Sequence, residues 1–141
     1  MYLDSAYIAK FYLKEPDSPR IREALAAFPT RVSSMLAIPE VVCAFHRHLH
    51  EGHHSQEDFV ALKNRFLQDV DADVWRLIPV GDGLLRRLAG TIGAAPGKLF
   101  LRAGSALHLA TASAYAETEI WSNDRHLLAA APYFGLAGRS I

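Results

Sequence analysis

One cysteine, Cys43, stands among 141 residues, so neither an intrachain disulfide nor a cysteine-based zinc site is available. It lies in the apolar run Val41-Val42-Cys43-Ala44-Phe45, which reads as a small buried side chain and not as a reactive thiol. Long hydrophobic runs are also missing. No apolar stretch approaches the ~18 residues of a membrane span, and Asp4 interrupts the N-terminus before a signal segment can form. The expected compartment is the cytoplasm. Neither sign of charge is in excess, since 15 Lys and Arg balance 15 Asp and Glu. A nucleic-acid partner would therefore be held by local basic patches or by metal ions, not by a global positive field. Repeats, low-complexity tracts and linkers are absent, and with 50% hydrophobic and 21% charged residues the chain reads as one globular domain over residues 1–141.

What is present is an alternation of short apolar runs and helical periodicity. Met1-Tyr2-Leu3 reads as a strand ending at a helix cap, Asp4-Ser5, with Ala6, Ile8, Ala9, Tyr12 and Leu13 following at helical spacing. Pro16-Asp17-Ser18-Pro19 stops that helix and starts another, with Ser18 as the cap and Pro19 in the first turn, continuing to Phe28. A strand over 31–35 precedes a long helix from about Pro39 to His50. Beyond Gly52, Ser55-Gln56-Glu57-Asp58 resembles a capping box that opens a helix carrying Phe59, Leu62, Phe66 and Leu67. The spacing then predicts a strand over 74–80, a helix over 82–92, a loop over 93–97 and a helix over 102–116. A strand over 119–122, a helix over 124–131 and an edge strand in the tail 136–141 complete the chain. This order predicts an α/β fold with a mainly parallel sheet.

In such sheets, ligands gather beyond the carboxyl ends of the strands. Asp4 ends the first strand, Asp124 follows the strand at 119–122, and Glu40 falls in the first turn of the helix after the second strand. Together these carboxylates would repel one another unless a cation sat among them, and hard divalent cations such as Mg²⁺ or Mn²⁺ take oxygen ligands. Each also suits a plain structural role: Asp4 and Asp124 as helix N-caps, Glu40 as a partner of the helix dipole. Spacing alone does not choose between these.

The local wording adds to this. Met1-Tyr2-Leu3-Asp4-Ser5-Ala6 with Lys10-Phe11-Tyr12-Leu13-Lys14-Glu15-Pro16 resembles the opening of PIN-domain nucleases, and Ser33 to Val41 resembles their second acidic motif. Leu101-Arg102-Ala103-Gly104-Ser105-Ala106-Leu107-His108 resembles the third, and Trp121-Ser122-Asn123-Asp124-Arg125 the fourth. Within that family the size and wording are most similar to the VapC toxins of VapBC toxin–antitoxin pairs. The resemblance implies a four- or five-stranded parallel sheet between helices and Mg²⁺- or Mn²⁺-dependent endoribonuclease activity. A VapB-like antitoxin and a toxin homodimer are implied as well. It assigns Asp4, Glu40 and Asp124 as metal-binding and catalytic positions, with Asn123 beside them. At the fourth acidic position this chain has Ser105. A hydroxyl can ligate Mg²⁺ but is neutral and weaker, so a second ion would suffer most. A weakened enzyme, a silent module that binds antitoxin or RNA, and a deliberate substitution are the alternatives this leaves.

Other features carry less. His46, His48, His50, His53 and His54 crowd one helix end; they suit a zinc or nickel site or a solvated terminus where imidazoles favour the dipole. His108, one turn beyond Ser105, reads as a hydrogen-bonded packing residue, and no G-x-S-x-G elbow supports a serine triad. Lys10, Lys98, Arg102 and Arg125 lie near the motifs and could meet phosphates, whereas Arg86 and Arg87 read as a solvated helix face. A phosphohydrolase using Asp4 as nucleophile would want D-x-D, and Ala6 occupies the second acidic place. Several apolar side chains of the early helices, including Phe11, Tyr12, Leu36 and Phe45, exceed what a few short strands need, and some are expected to form an exposed groove for an antitoxin segment or a second copy.

Overall fold

The computed structural model describes residues 1–141. Five short strands, β1 (Tyr2–Leu3), β2 (Val32–Ser34), β3 (Arg76–Ile78), β4 (Glu119–Trp121) and β5 (Ala137–Arg139), form one sheet in the order β3-β2-β1-β4-β5. Every pairing is parallel, with Tyr2 opposite both Val32 and Ile120, and Leu3 opposite Trp121. Seven helices connect and cover it: α1 (Ser5–Tyr12), α2 (Ser18–Ala26), α3 (Ala37–His50), α4 (Gln56–Asp71), α5 (Asp82–Gly93), α6 (Ala103–Ala114) and α7 (Arg125–Ala130). A 3₁₀ turn, Ala131–Phe134, leads into β5, because Pro132 cannot extend α7 with a regular hydrogen bond. The expected α/β class and the tail strand are found, with every strand shorter than expected, by up to two residues at an end.

The strands lack strict alternation because both faces of the sheet are covered. Successive side chains point to opposite faces. Leu3 joins Tyr7, Ile8, Ile21, Leu25, Val41, Phe45, Phe66 and Trp75 on one side, while Tyr2 joins Val32, Leu109, Ile120 and Leu127 on the other. Two serines in the buried strand β2 are satisfied locally: Ser33 Oγ donates to Leu3 O at 2.8 Å, and Ser34 Oγ accepts from Leu36 N at 3.0 Å. Ser55 and Asp58 form the expected capping box on α4. Ser18 is not the cap of α2; it starts the helix, and its Oγ accepts from Glu15 N at 3.0 Å to hold the preceding turn.

Two expectations of burial are overturned. Phe45 is fully buried and Tyr12 half-buried, because α4 closes over α1 and α3 and packs Phe66 edge-on against both rings. Phe11 and Leu36 are also partly covered, so these four side chains do not form an open apolar groove. The exposed large apolar side chains lie elsewhere, among them Leu85 and Ile92 on α5 and Phe100 in the segment after it. Cys43, in contrast, is exposed. Val41 and Phe45 take the inward face of α3, and position 43, lying between them, turns outward. Native protein is therefore expected to react fully with a thiol reagent without denaturant. A thiol titrating only after unfolding would contradict this placement.

Candidate metal centre

The strand order reverses between β1 and β4: from β1 the chain moves outward through β2 and β3, then returns to β4 on the other side. Such a switch point opens a crevice beyond the strand ends. Asp4 follows β1 and Asp124 follows β4, with Asp4 N bonded to Trp121 O at 3.1 Å. One hydroxyl links the two. Ser122 Oγ donates to Asp4 Oδ2 and accepts from Asp124 N, the latter at 2.9 Å. Each aspartate is also a helix cap: Asp4 Oδ1 accepts from Tyr7 N at 3.2 Å, and Asp124 Oδ1 from His126 N at 2.8 Å. The capping and site roles are compatible, because each cap uses Oδ1 and leaves Oδ2 facing a serine hydroxyl, with a further lone pair on that oxygen.

Ser105, in the first turn of α6, donates from Oγ to Asp124 Oδ2 at 3.1 Å. Glu40, in the first turn of α3, is held differently. Its Oε2 accepts from Ser5 Oγ at 2.6 Å and lies 2.9 Å from His108 Nε2. His108 is buried, and its Nδ1 lies 3.1 Å from the Tyr2 hydroxyl. Helix α6 comes so close to Glu40 that a Cβ on Gly104 would stand 2.5 Å from Glu40 Oε1, so a larger residue there would have to displace the end of the Glu40 side chain.

Burial pushes the Asp4 carboxyl above the usual aspartate range, against the hydrogen bond from Ser122 and the nearby His108, which act the other way. For Glu40 burial also acts upward, but the hydrogen bonds from His108 and Ser5 outweigh it and hold the carboxyl below the usual range. Burial raises the Tyr2 phenol well above its ordinary value, so it stays protonated. Ser5, Gly104, His108 and Ser122 belong to this network without having been assigned to it from sequence. The signal available was their position within the four motifs, each one to three residues from an expected site residue.

Asp4, Glu40, Ser105 and Asp124 are the expected metal positions. Their donors are all oxygen, the chemistry of Mg²⁺ or Mn²⁺ and not of a soft ion. Neither Asp4 nor Asp124 has a salt-bridge partner, whereas Glu40 pairs with His108. No group of three or more His, Cys, Asp or Glu side chains is arranged to hold a metal ion. Of the expected positions, Asp4 and Asp124 are the carboxylates without a cationic partner, and an ion beside them would have to draw most of its oxygens from water, as Mg²⁺ commonly does. Asn123 is occupied elsewhere, its Oδ1 accepting from the Tyr7 hydroxyl at 2.5 Å and from Ser140 Oγ at 2.9 Å. Lys10 is neutralised by Asp17 at 2.5 Å and Glu15 at 3.4 Å, so it is not the free phosphate contact its position suggests. Replacing His108 by leucine should leave Glu40 and the Tyr2 hydroxyl each short of a partner, at a cost of about 1–3 kcal/mol per group. Denaturant unfolding measures it, and an unchanged midpoint would show the pairings to be incidental.

No protein-family model matches the chain, and no curated protein matches it. No helix is long and apolar enough to cross a membrane. Among solved structures, the chain is similar to one in FitAB bound to an IR36 DNA fragment, with a TM-score of 0.67 and 14% sequence identity. The match covers 99% of this chain and 93% of that one. An identity this low speaks for the architecture, and the match runs through all five strands: the chain has a PIN-like α/β fold built on a five-stranded parallel sheet.

Proposed function

We propose that this chain is a Mg²⁺- or Mn²⁺-dependent endoribonuclease, the toxin component of a cytoplasmic toxin–antitoxin pair, with Asp4 and Asp124 as its principal metal ligands. The observation that carries the reading is the pair of aspartates, lacking cationic partners and joined through Ser122, at the strand-order reversal of a PIN-like sheet. When bound, the ion would supply an activated water and charge stabilisation for a phosphodiester. The chain's own part is to fix that pair. Ser122 sets the position of both aspartates, the caps to Tyr7 N and His126 N lock their orientation, and Ser105 offers a neutral oxygen beside Asp124. Glu40, in its bonds to His108 and Ser5, orients the wall of the site. FitAB, which shares the fold, was solved on DNA; by analogy we assign this chain a VapB-like antitoxin that covers the site, and a second copy of the chain as homodimer partner.

The test is cleavage of single-stranded and structured RNA by the purified protein across a Mn²⁺ titration, with a chelator arm and Asp124→Asn as control. Cleavage that needs metal and is lost in Asp124→Asn supports the reading; chelator-resistant cleavage, or cleavage unchanged in Asp124→Asn, refutes it. A second reading, a silent module that binds antitoxin or RNA without cutting, is favoured by the hydrogen bond from Ser105 to Asp124 where a further carboxylate was expected. Tight RNA or antitoxin binding with no metal-dependent cleavage would select it.

A further inference from the structure

A cavity of about 790 Å³ opens where the α1–α2 connection meets the end of α3 and the start of α4. Gly52, with φ of 76°, reverses the chain after α3, and His53 N bonds back to His48 O at 2.9 Å. This folds His53 and His54 over His48, with ring centroids 5.2 and 6.0 Å from it. The cluster is therefore His48, His53 and His54, and not the helical-spacing set built on His46 and His50. His54 Nε2 is buried and has no hydrogen-bond partner.

The charges around the cavity are unevenly satisfied. Its two carboxylates have partners: Glu15 pairs with His48 at 3.1 Å and Lys10 at 3.4 Å, and Asp58 Oδ2 accepts from Ser55 N and Oγ, both at 3.1 Å. Its two permanent cations, Lys14 and Arg65, form no ion pair. Free cations, an unpartnered imidazole nitrogen and occupied carboxylates suit an anion with several acceptor oxygens. A metal ion is the poorer fit, because His48 Nε2 is engaged by Glu15 and no three ligating side chains are grouped. A second cavity of about 480 Å³ contains Ser5, Glu40 and the unpaired Arg47, and shares Leu13 and Glu15 with the first. The two cavities are therefore neighbours, and the second lies on the Glu40 side of the candidate metal centre.

We propose that the His48–His53–His54 cavity is a phosphate-binding subsite, and that its phosphate belongs to an RNA strand that passes the second cavity on its way to the carboxylates. The RNA assignment rests on the ribonuclease reading; the phosphate chemistry does not. Binding of labelled single-stranded RNA, followed by anisotropy with chelator present to prevent cleavage, tests the first. Inorganic phosphate, followed through the histidine Cε1–H resonances, tests the second. Lys14→Gln/Arg65→Gln and His54→Gln report on the cavity, and Arg86→Gln, on α5 and outside it, is the control. The double variant should bind RNA roughly tenfold more weakly at low salt and reduce the slope of log affinity against log salt by about 1.4, two contacts at ~0.7 each. Inorganic phosphate should shift the histidine resonances in the parent and less in both variants, with the control unchanged. RNA affinity and salt slope unchanged in the double variant, while the parent still cleaves RNA, would overturn the subsite and leave the ribonuclease reading standing. A parent that neither binds nor cleaves RNA would overturn the ribonuclease reading and the RNA assignment together, whatever inorganic phosphate does. No histidine response to phosphate would overturn the phosphate chemistry itself.

Discussion

The Asp4→Asn protein is expected to lose metal-dependent RNA cleavage by about a hundredfold to a thousandfold, the range for removing one preorganised electrostatic group, and yet to melt at a higher temperature than its parent without metal at neutral pH. Both effects come from the same carboxylate. Burial raises the Asp4 pKa in the folded chain above its unfolded value, so the native state holds this proton where the unfolded state has released it. The stability it contributes is fully present below the ordinary aspartate pKa and is lost as pH rises through the raised folded value. At neutral pH, above the unfolded value, burying this carboxyl is a net cost to the fold, which asparagine removes while keeping an acceptor for Tyr7 N and a polar partner for Ser122. Glu40 works the other way. His108 and Ser5 hold its folded pKa down, so its contribution is present above the ordinary glutamate pKa and is lost as pH falls through the folded value. Thermal melts of parent and variant from about pH 3 to pH 8, with and without Mg²⁺, check the sign. A variant less stable than the parent at neutral pH without metal would mean that Asp4 serves mainly as a cap.

Ser105→Asp should have the opposite functional effect. A unit negative charge ~4 Å from a cation is worth several kcal/mol even at an effective dielectric near 20, whereas the present hydroxyl is neutral. Mg²⁺ and Mn²⁺ affinity should therefore rise by at least about tenfold, which needs only ~1.4 kcal/mol, and cleavage should rise with it if the second ion is what the parent lacks. The same geometry predicts a cost in the apo protein. Ser105 Oγ lies 3.1 Å from Asp124 Oδ2, so a carboxylate in its place meets Asp124 directly and repels it until metal arrives. Calorimetric metal titrations and unfolding midpoints measured with and without metal give both numbers. Equal affinities and equal rates in the two proteins would remove position 105 from the metal centre.

The sequence by itself determined the order and type of the elements, because helical periodicity, caps and breakers are local signals. Asp4 before Ala6, Ile8 and Ala9, Ser55 with Asp58 before Phe59, and Pro132 after α7 act within a turn or two of themselves. It also put Asp4 and Asp124 at strand ends, since a strand that ends at a capped helix does so within a residue or two. Only the tertiary structure decided which charges those carboxylates meet. Glu40 faces His108 across 68 residues of chain, and Ser122 reaches Asp4 across 118; neither pairing has a local signature. Burial was decided there too. Cys43 and Phe45 sit two residues apart in one apolar run, yet α1 and α4 cover the face of α3 that carries Phe45 and leave the face that carries Cys43 open. The histidines show the same limit. Helical spacing relates His46 to His50 only while the helix lasts, and the reversal at Gly52 makes His48, His53 and His54 neighbours through space, where helix periodicity no longer applies.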